Sequence, residues 1–263
     1  FAFAGDSLQA QLKELQLTER SGLVINELSG LTHVSPRGII ISDMELRTGR
    51  SNAKGQFAMI TNSWADYNEF NQKVNMKLQL DTANVDFRDI SMFAPELEGV
   101  HYPIGISGRM RGSVAELKGF GLYVTFGSHS WFTGNAEFSG LPDIANTFMV
   151  LNIDELSTDH QDLSHIPVPP FTSGATLVLP TEIAQLGTIN FAGNFTGFTR
   201  AFTAYGRTRT KLGSVKTDIS YERDTLKNIF TLSGRVLTEG FDLGPIAGTS
   251  ILGPLACNVR LSA

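Results

Sequence analysis

The sequence predicts an all-β protein with an antiparallel sheet. Apolar and polar residues alternate along most of the chain, and clusters of turn-forming residues separate the alternating segments. The chain contains 26 Gly and 10 Pro, and one of the turn-like clusters is Gly140-Leu141-Pro142-Asp143. Strands of a buried parallel sheet would be apolar at almost every position, whereas strict alternation is typical of antiparallel strands with one wet face.

Five segments show the alternation most clearly, and each is predicted to form one strand with a single apolar face. Their apolar-parity residues are, in chain order, Met76, Leu78 and Leu80; Phe120, Leu122, Val124 and Phe126; Phe132, Gly134, Ala136 and Phe138; Val215, Thr217, Ile219 and Tyr221; and Phe230, Leu232 and Val236. The residues between them are mostly charged, hydroxylic or amide side chains. Bulges marked by glycine could reverse the parity, so which residues lie on the apolar face is left open after Gly197.

Little of the sequence favours helix. Leu8, Leu12 and Leu15 have helical spacing, but the segment is equally compatible with a strand. Residues 181–186 could form one helical turn ahead of Gly187. The Pro-rich stretch 166–170 cannot be a central strand, because proline lacks the N–H that a ladder requires, and it is the best candidate for a hinge or loop.

Composition excludes some classes of function. Of the 263 residues, 41% are hydrophobic and 18% charged, and the net charge is −5. The acidic balance and the lack of a clustered basic face argue against a nucleic-acid partner. Cys257 is the only cysteine, so an intrachain disulfide is impossible. The sequence has no signal peptide, no starting Met and no run of 18 apolar residues. Residues 1–263 are therefore interpreted as a single middle segment of a longer protein.

The motifs of the sequence favour a protein that is not an enzyme. The densest polar cluster runs from Asp159 to His165, and its His160, Asp162 and His165 could ligate a metal. A solvated loop is the preferred interpretation, so we predict no metal, no cofactor and no catalytic residues. The adjacent carboxylates Asp154 and Glu155 would point to opposite faces if they lie in a strand, and could not then share a cleft.

The aromatic usage is unusual, with 18 Phe against 5 Tyr and 2 Trp. Phe suits hydrocarbon, whereas sugar-binding β modules present Trp and Tyr. Composition alone also allows an ordinary sandwich core filled by Phe. A carbohydrate-binding or adhesin-type module of the cell surface remains the alternative, and it would depend on Trp64 or Trp131.

A weak internal repeat of about 80–85 residues is present. Shifting Gly108 by 85 positions gives Gly193, and five similar residues follow in register, from Met110 and Phe195 to Gly121 and Gly206. A short pattern of Asp, an aliphatic residue and a later apolar residue recurs from Asp89, Asp162 and Asp242. Such a period predicts similar sheet units stacked end to end.

Five motifs in order carry a family resemblance. They are the segments 84–90, 108–119, 138–144, 179–187 and 193–198, which read NVDFRDI, GRMRGSVAELKG, FSGLPDI, LPTEIAQLG and GNFTGF. In this order they resemble the AsmA-like superfamily, and most closely its TamB-type translocation and assembly module proteins of Bacteroidetes. The likeness is clearest from about Leu80 to Leu243.

The resemblance implies an elongated antiparallel sheet curled into a U-shaped trough, with an apolar interior and a polar exterior. It further implies a periplasmic bridge, anchored in the inner membrane by a segment outside this chain, that acts in phospholipid transport between the inner and outer membranes and in the assembly of outer-membrane proteins with a TamA-type barrel partner. The predicted ligands are phospholipid acyl chains. The predicted groove residues are Phe120, Leu122, Val124, Phe126, Phe132, Phe138, Ile189, Phe191, Phe195, Val215, Ile219, Phe230 and Leu232.

Overall fold

A computed structural model describes residues 2–18, 22, 24–91, 94–224 and 229–262. These residues form one sheet of 15 strands in which every strand pairs antiparallel with its neighbours in the sequence. The strands are β1 Ala2–Ala4, β2 Ser7–Thr18, β3 Val24–Ser35, β4 Gly38–Thr48, β5 Asn52–Ile60, β6 Asn75–Asp86, β7 Pro103–Gly112, β8 Glu116–Phe126, β9 Ser130–Ser139, β10 Phe148–Thr158, β11 Ile189–Phe198, β12 Ala201–Thr210, β13 Gly213–Asp224, β14 Ile229–Asp242 and β15 Pro254–Ser262. The predicted all-β antiparallel fold is confirmed.

Helix is confined to the connections between strands. The α-helices are α1 Phe70–Lys73, α2 Phe87–Ile90, α3 His160–Ser164 and α4 Gly244–Ala247. Short 3-10 helices cover Trp64–Glu69, Pro95–Leu97, Ile144–Asn146, Phe171–Ser173 and Thr181–Leu186. The helical turn predicted at 181–186 is therefore present, and the stretch 166–170 lies in the β10–β11 connection. Leu8, Leu12 and Leu15 belong to β2, which settles that open choice in favour of a strand.

The register places most of the apolar positions of the strands on one side of the sheet, which we call the inner face. Directly opposite residues of an antiparallel pair share a face. One row of such residues crosses the sheet through Leu122, Gly134, Ile153, Gly193, Gly206, Thr217, Val236 and Val259. The other side, the outer face, carries charged, amide or hydroxyl side chains at most positions.

Most strand pairs contain a register shift near the middle of the strand. The shifts fall between Ile41 and Met44 in β4, between Leu80 and Ala83 in β6, and between Gly119 and Leu122 in β8. Bulges bend strands and increase their twist, and the residues beside the shifts are the most buried of the inner face. A line of bends along the strand centres, here called the floor, curls the open sheet into a trough.

The two edges of the trough differ in their connections. Because the strands alternate in direction, connections after even-numbered strands lie along one edge, the long-loop rim, and those after odd-numbered strands lie along the opposite rim. Helices α2, α3 and α4 follow β6, β10 and β14, so a rim helix recurs at every fourth strand. The repeated Asp motif marks these points, since Asp89, Asp162 and Asp242 lie where the chain leaves the sheet.

A candidate hydrophobic trough

The inner face is almost free of charge. Among the paired inner-face positions of the described strands, Arg223 at the end of β13 is the single charged residue. Glycines and alanines occupy much of the floor, and larger aliphatic and aromatic residues line the walls. Burying a charge without a partner is costly, so this surface suits an apolar occupant and excludes a strongly polar one.

Twelve of the predicted groove residues lie on the inner face. They are Leu122, Val124, Phe126, Phe132, Phe138, Ile189, Phe191, Phe195, Val215, Ile219, Phe230 and Leu232. No register shift interrupts the pairing from β11 to β14, so the parity that was uncertain after Gly197 continues through these strands.

Phe120 is the exception, and its predicted place in the groove is corrected. An extra residue in β8 between Gly119 and Leu122 reverses the parity, so Phe120 pairs with Arg109 on the outer face. Its ring centre lies 4.7 Å from the guanidinium carbon of Arg111, in a cation–π contact. The alternation from 120 to 126 in the sequence conceals this bulge, and the local signal for it was Gly121, whose φ is 55°.

An aromatic strip that the sequence reasoning did not assemble crosses four strands of the inner face. The ring centroids of Phe195 and Phe202 lie 4.9 Å apart, those of Phe202 and Tyr221 5.3 Å, and those of Tyr221 and Phe230 6.4 Å. Phe202 was the missing member, although its position between Ala201 and Thr203 in an alternating segment could have identified it. The four rings form a continuous apolar wall.

The wall residues of the trough are not covered by a second layer. Phe195, Phe202 and Tyr221 are partly exposed, and Phe230 is 60% exposed. In the part of the chain that the structure describes, only Val74 and Thr147 have large side chains with less than 2% exposure. Exposed residues on the concave side face a hollow, so the described sheet is not one half of a closed sandwich core.

One segment of the long-loop rim bridges the mouth of the trough. Ala94, Leu97 and Val100 of the β6–β7 connection form a buried cluster, and Phe171 of the β10–β11 connection packs against it. Ile144, which belongs to the opposite rim, packs against the same cluster. Residues 94–100, here called the strap, therefore reach across the open side and hold the two rims together.

Asp162 ties α3 to the turn before β9. One carboxylate oxygen accepts from the backbone N–H of Ser128, and the other accepts from the N–H of His129 and the hydroxyl of Ser130. Burial raises the pKa of Asp162, but the hydrogen bonds from Ser128, His129 and Ser130, together with the nearby charge of His129, outweigh it and hold the pKa below its usual value. Asp89 makes the equivalent tie, accepting from the hydroxyls of Thr48 and Ser51. Asp89 and Asp162 thus fasten their rim helices to neighbouring turns, whereas Asp242 accepts from the N–H of Gly244 in its own connection.

The polar cluster does not assemble the ligand set considered from the sequence. The ligand atoms that do converge, within 4.8 Å of one another, belong to His129, Asp159 and Asp162. Both oxygens of Asp162 already accept hydrogen bonds, and Asp159 accepts from the N–H of Asp162. His165 contacts the carbonyl of Gln161, with Nδ1 2.7 Å from the oxygen. The geometry is that of a capped one-turn helix.

Two further sequence inferences concern carboxylates and tryptophans. Asp154 and Glu155 lie in β10, where a register shift between Ile153 and Glu155 brings both of them to one shallow depression, so the expectation that they could not share a cleft is wrong. Trp64 and Trp131 are not brought together into one platform. Trp64 lies in the β5–β6 connection of the opposite rim, whereas Trp131 lies on the outer face of β9 near the long-loop rim.

Within the described residues, no helix has the length and apolar character needed to cross a membrane. Comparisons with protein-family models, with curated proteins and with solved structures found no match to this chain.

Proposed function

We propose that this chain is a bridge segment whose trough holds and guides the acyl chains of phospholipids between two membranes. The observation that supports the proposal most directly is the uncovered inner face, which is mainly apolar and carries the aromatic strip of Phe195, Phe202, Tyr221 and Phe230. The resemblance to TamB-type proteins adds the periplasm as the compartment, assembly of outer-membrane proteins as a companion role and a TamA-type barrel as partner.

The driving force would be the transfer of hydrocarbon out of water. Each buried CH₂ contributes about 0.8 kcal/mol, so twelve methylenes against the walls contribute about 10 kcal/mol. This gain must offset the loss of translational and rotational freedom on binding. No polar group of the inner face is needed for such binding, which makes the affinity depend on chain length rather than on headgroup identity.

The dimensions of the trough suit a passage rather than a pocket. Neighbouring strands lie about 4.8 Å apart, so the 14 spacings of the 15-stranded sheet extend over about 67 Å. A uniform wall offers the same contacts at each strand, so a bound chain can move along the axis without crossing a large barrier. The strap closes the mouth locally, and a lipid at that point would pass beneath it along the axis.

The experiment is native mass spectrometry of the purified protein, followed by extraction and identification of bound lipid. Phe195→Asp with Ile219→Asp places two charges on the inner face. The matched control, Thr196→Asp with Ser220→Asp, places the same charges one residue away on the outer face. Lipid bound to the wild type and the control but lost from the inner-face variant supports the proposal. Wild-type protein that carries no lipid and takes up no fluorescent fatty acid refutes it.

A further inference from the structure

The outer face carries a row of like charges in register. Lys77 of β6 lies directly opposite Arg111 of β7, and Arg111 lies directly opposite Lys118 of β8. Cations at directly opposite positions of neighbouring strands repel each other and destabilise a sheet. Three cations in succession are therefore unfavourable for the fold alone.

Only the last cation of the row is neutralised within the sheet. Lys118 forms an ion pair with Glu137, its directly opposite neighbour in β9. No described carboxylate forms an ion pair with Lys77, Arg111 or the adjacent Arg109. All three are exposed, so three positive charges of an acidic protein remain available to a partner.

The same three cations surround a depression in the outer face. Its volume is about 380 Å³, and its outer-face lining consists of Ile40, Gln56, Ala58, Lys77, Gln79, Arg109 and Arg111. A second, smaller depression beside it is lined by Arg109, Arg111 and Phe120. The surface thus combines positive charge, amide groups and apolar area in one concave place.

We propose that this depression, the basic site, binds an acidic segment of a partner protein. Carboxylates of the partner would pair with Lys77, Arg109 and Arg111, and the two Gln amides could bond its backbone. Apolar partner side chains would contact Ile40, which is 45% exposed, and the ring of Phe120. A flat lipid surface fits less well, because it cannot enter a concave site, and free phosphate would make no use of the apolar lining.

The basic site lies on the opposite side of the sheet from the trough, so its test is separate from the test of lipid binding. The probe is a fluorescein-labelled peptide in which Glu alternates with Leu and Gly, and binding is followed by fluorescence anisotropy at low and at physiological salt. Lys77→Gln with Arg111→Gln removes two cations of the site. Arg47→Gln with Lys54→Gln is the control, because these outer-face cations already pair with Glu27 and Glu45.

We expect the wild type to bind the peptide, less tightly as salt increases because these charges are exposed. The site variant should bind at least tenfold more weakly and the control within twofold of the wild type. Arg109→Gln, as a second site variant, should also weaken binding. Equal binding by all the proteins, or no binding by any, overturns the proposal. So does binding of the wild type to phosphatidylglycerol vesicles or inorganic phosphate in place of the peptide.

Discussion

Replacement of Gly134 by alanine tests whether glycines at the floor are required for the bend of the trough. Gly134 is buried on the inner face of β9 and has a φ of 151°, a conformation that residues with a side chain rarely adopt. A Cβ atom built there would lie 2.0 Å from the carbonyl oxygen of Asn152 in the paired strand. An alanine therefore cannot be accommodated unless β9 and β10 move apart.

We expect Gly134→Ala to lower the free energy of unfolding by about 2–4 kcal/mol. Backbone strain accounts for about 1–3 kcal/mol, and a disturbed ladder hydrogen bond for about 1 kcal/mol. The assay is urea unfolding followed by far-UV circular dichroism. Gly49→Ala is the control, because a Cβ at Gly49 meets no atom within 4 Å, and it should change stability by less than about 1 kcal/mol. Equal midpoints for the two variants would refute the assignment of Gly134 to a bend.

Four other predictions concern the ties, the strap and the faces of the sheet. Asp162→Ala should lower the free energy of unfolding in urea by about 2–4 kcal/mol, since the N–H groups of Ser128 and His129 and the buried hydroxyl of Ser130 lose their acceptor; a loss below about 0.5 kcal/mol would contradict the tie. Because folding lowers the pKa of Asp162 from 3.8, the contribution of this carboxylate to the free energy of unfolding is complete above about pH 3.8 and is lost as the pH falls through the folded-state pKa. Urea unfolding measured across the acid range should show this loss in the wild type and not in Asp162→Ala. Val100→Asp should release the strap, seen as faster limited proteolysis within 87–102 with an unchanged circular dichroism spectrum; unchanged cleavage would mean that the cluster does not hold it. Phe126→Ala should reduce fatty-acid uptake, whereas Phe120→Ala should leave it within twofold, and the reverse order would invert the assigned faces.

The alternation predicted most of the trough wall because period two is a local property of each strand. Where a strand has no bulge, as in β13, every second residue faces inward as the sequence indicates. Phe120 was misplaced because one extra residue reverses the parity without changing the local composition. A register shift also explains why Leu12 and Leu15 have helical spacing. The shift in β2 lies between them, so both side chains face inward although they are three residues apart in the sequence.

Contacts between distant segments could not be predicted. Nothing near Ile144 in the sequence indicates that it packs against the cluster of Ala94, Leu97 and Val100 across the mouth of the trough. The sequence shows that the Asp motif recurs at Asp89 and Asp162, but it does not show that these carboxylates bind neighbouring turns. Their hydrogen-bond donors belong to turns more than 30 residues earlier in the chain. The basic site was also hidden, since Lys77 and Arg111 become neighbours only through strand pairing.

Site-specific photo-crosslinking tests the central claim most directly. Benzoylphenylalanine would replace Phe195 on the inner face in one protein and Thr203 on the outer face in another. Each protein would be irradiated in the presence of a radiolabelled phospholipid. The trough account predicts a lipid adduct at position 195 and none above background at 203. Equal labelling of the two positions, or labelling at 203 alone, would contradict an acyl-binding inner face.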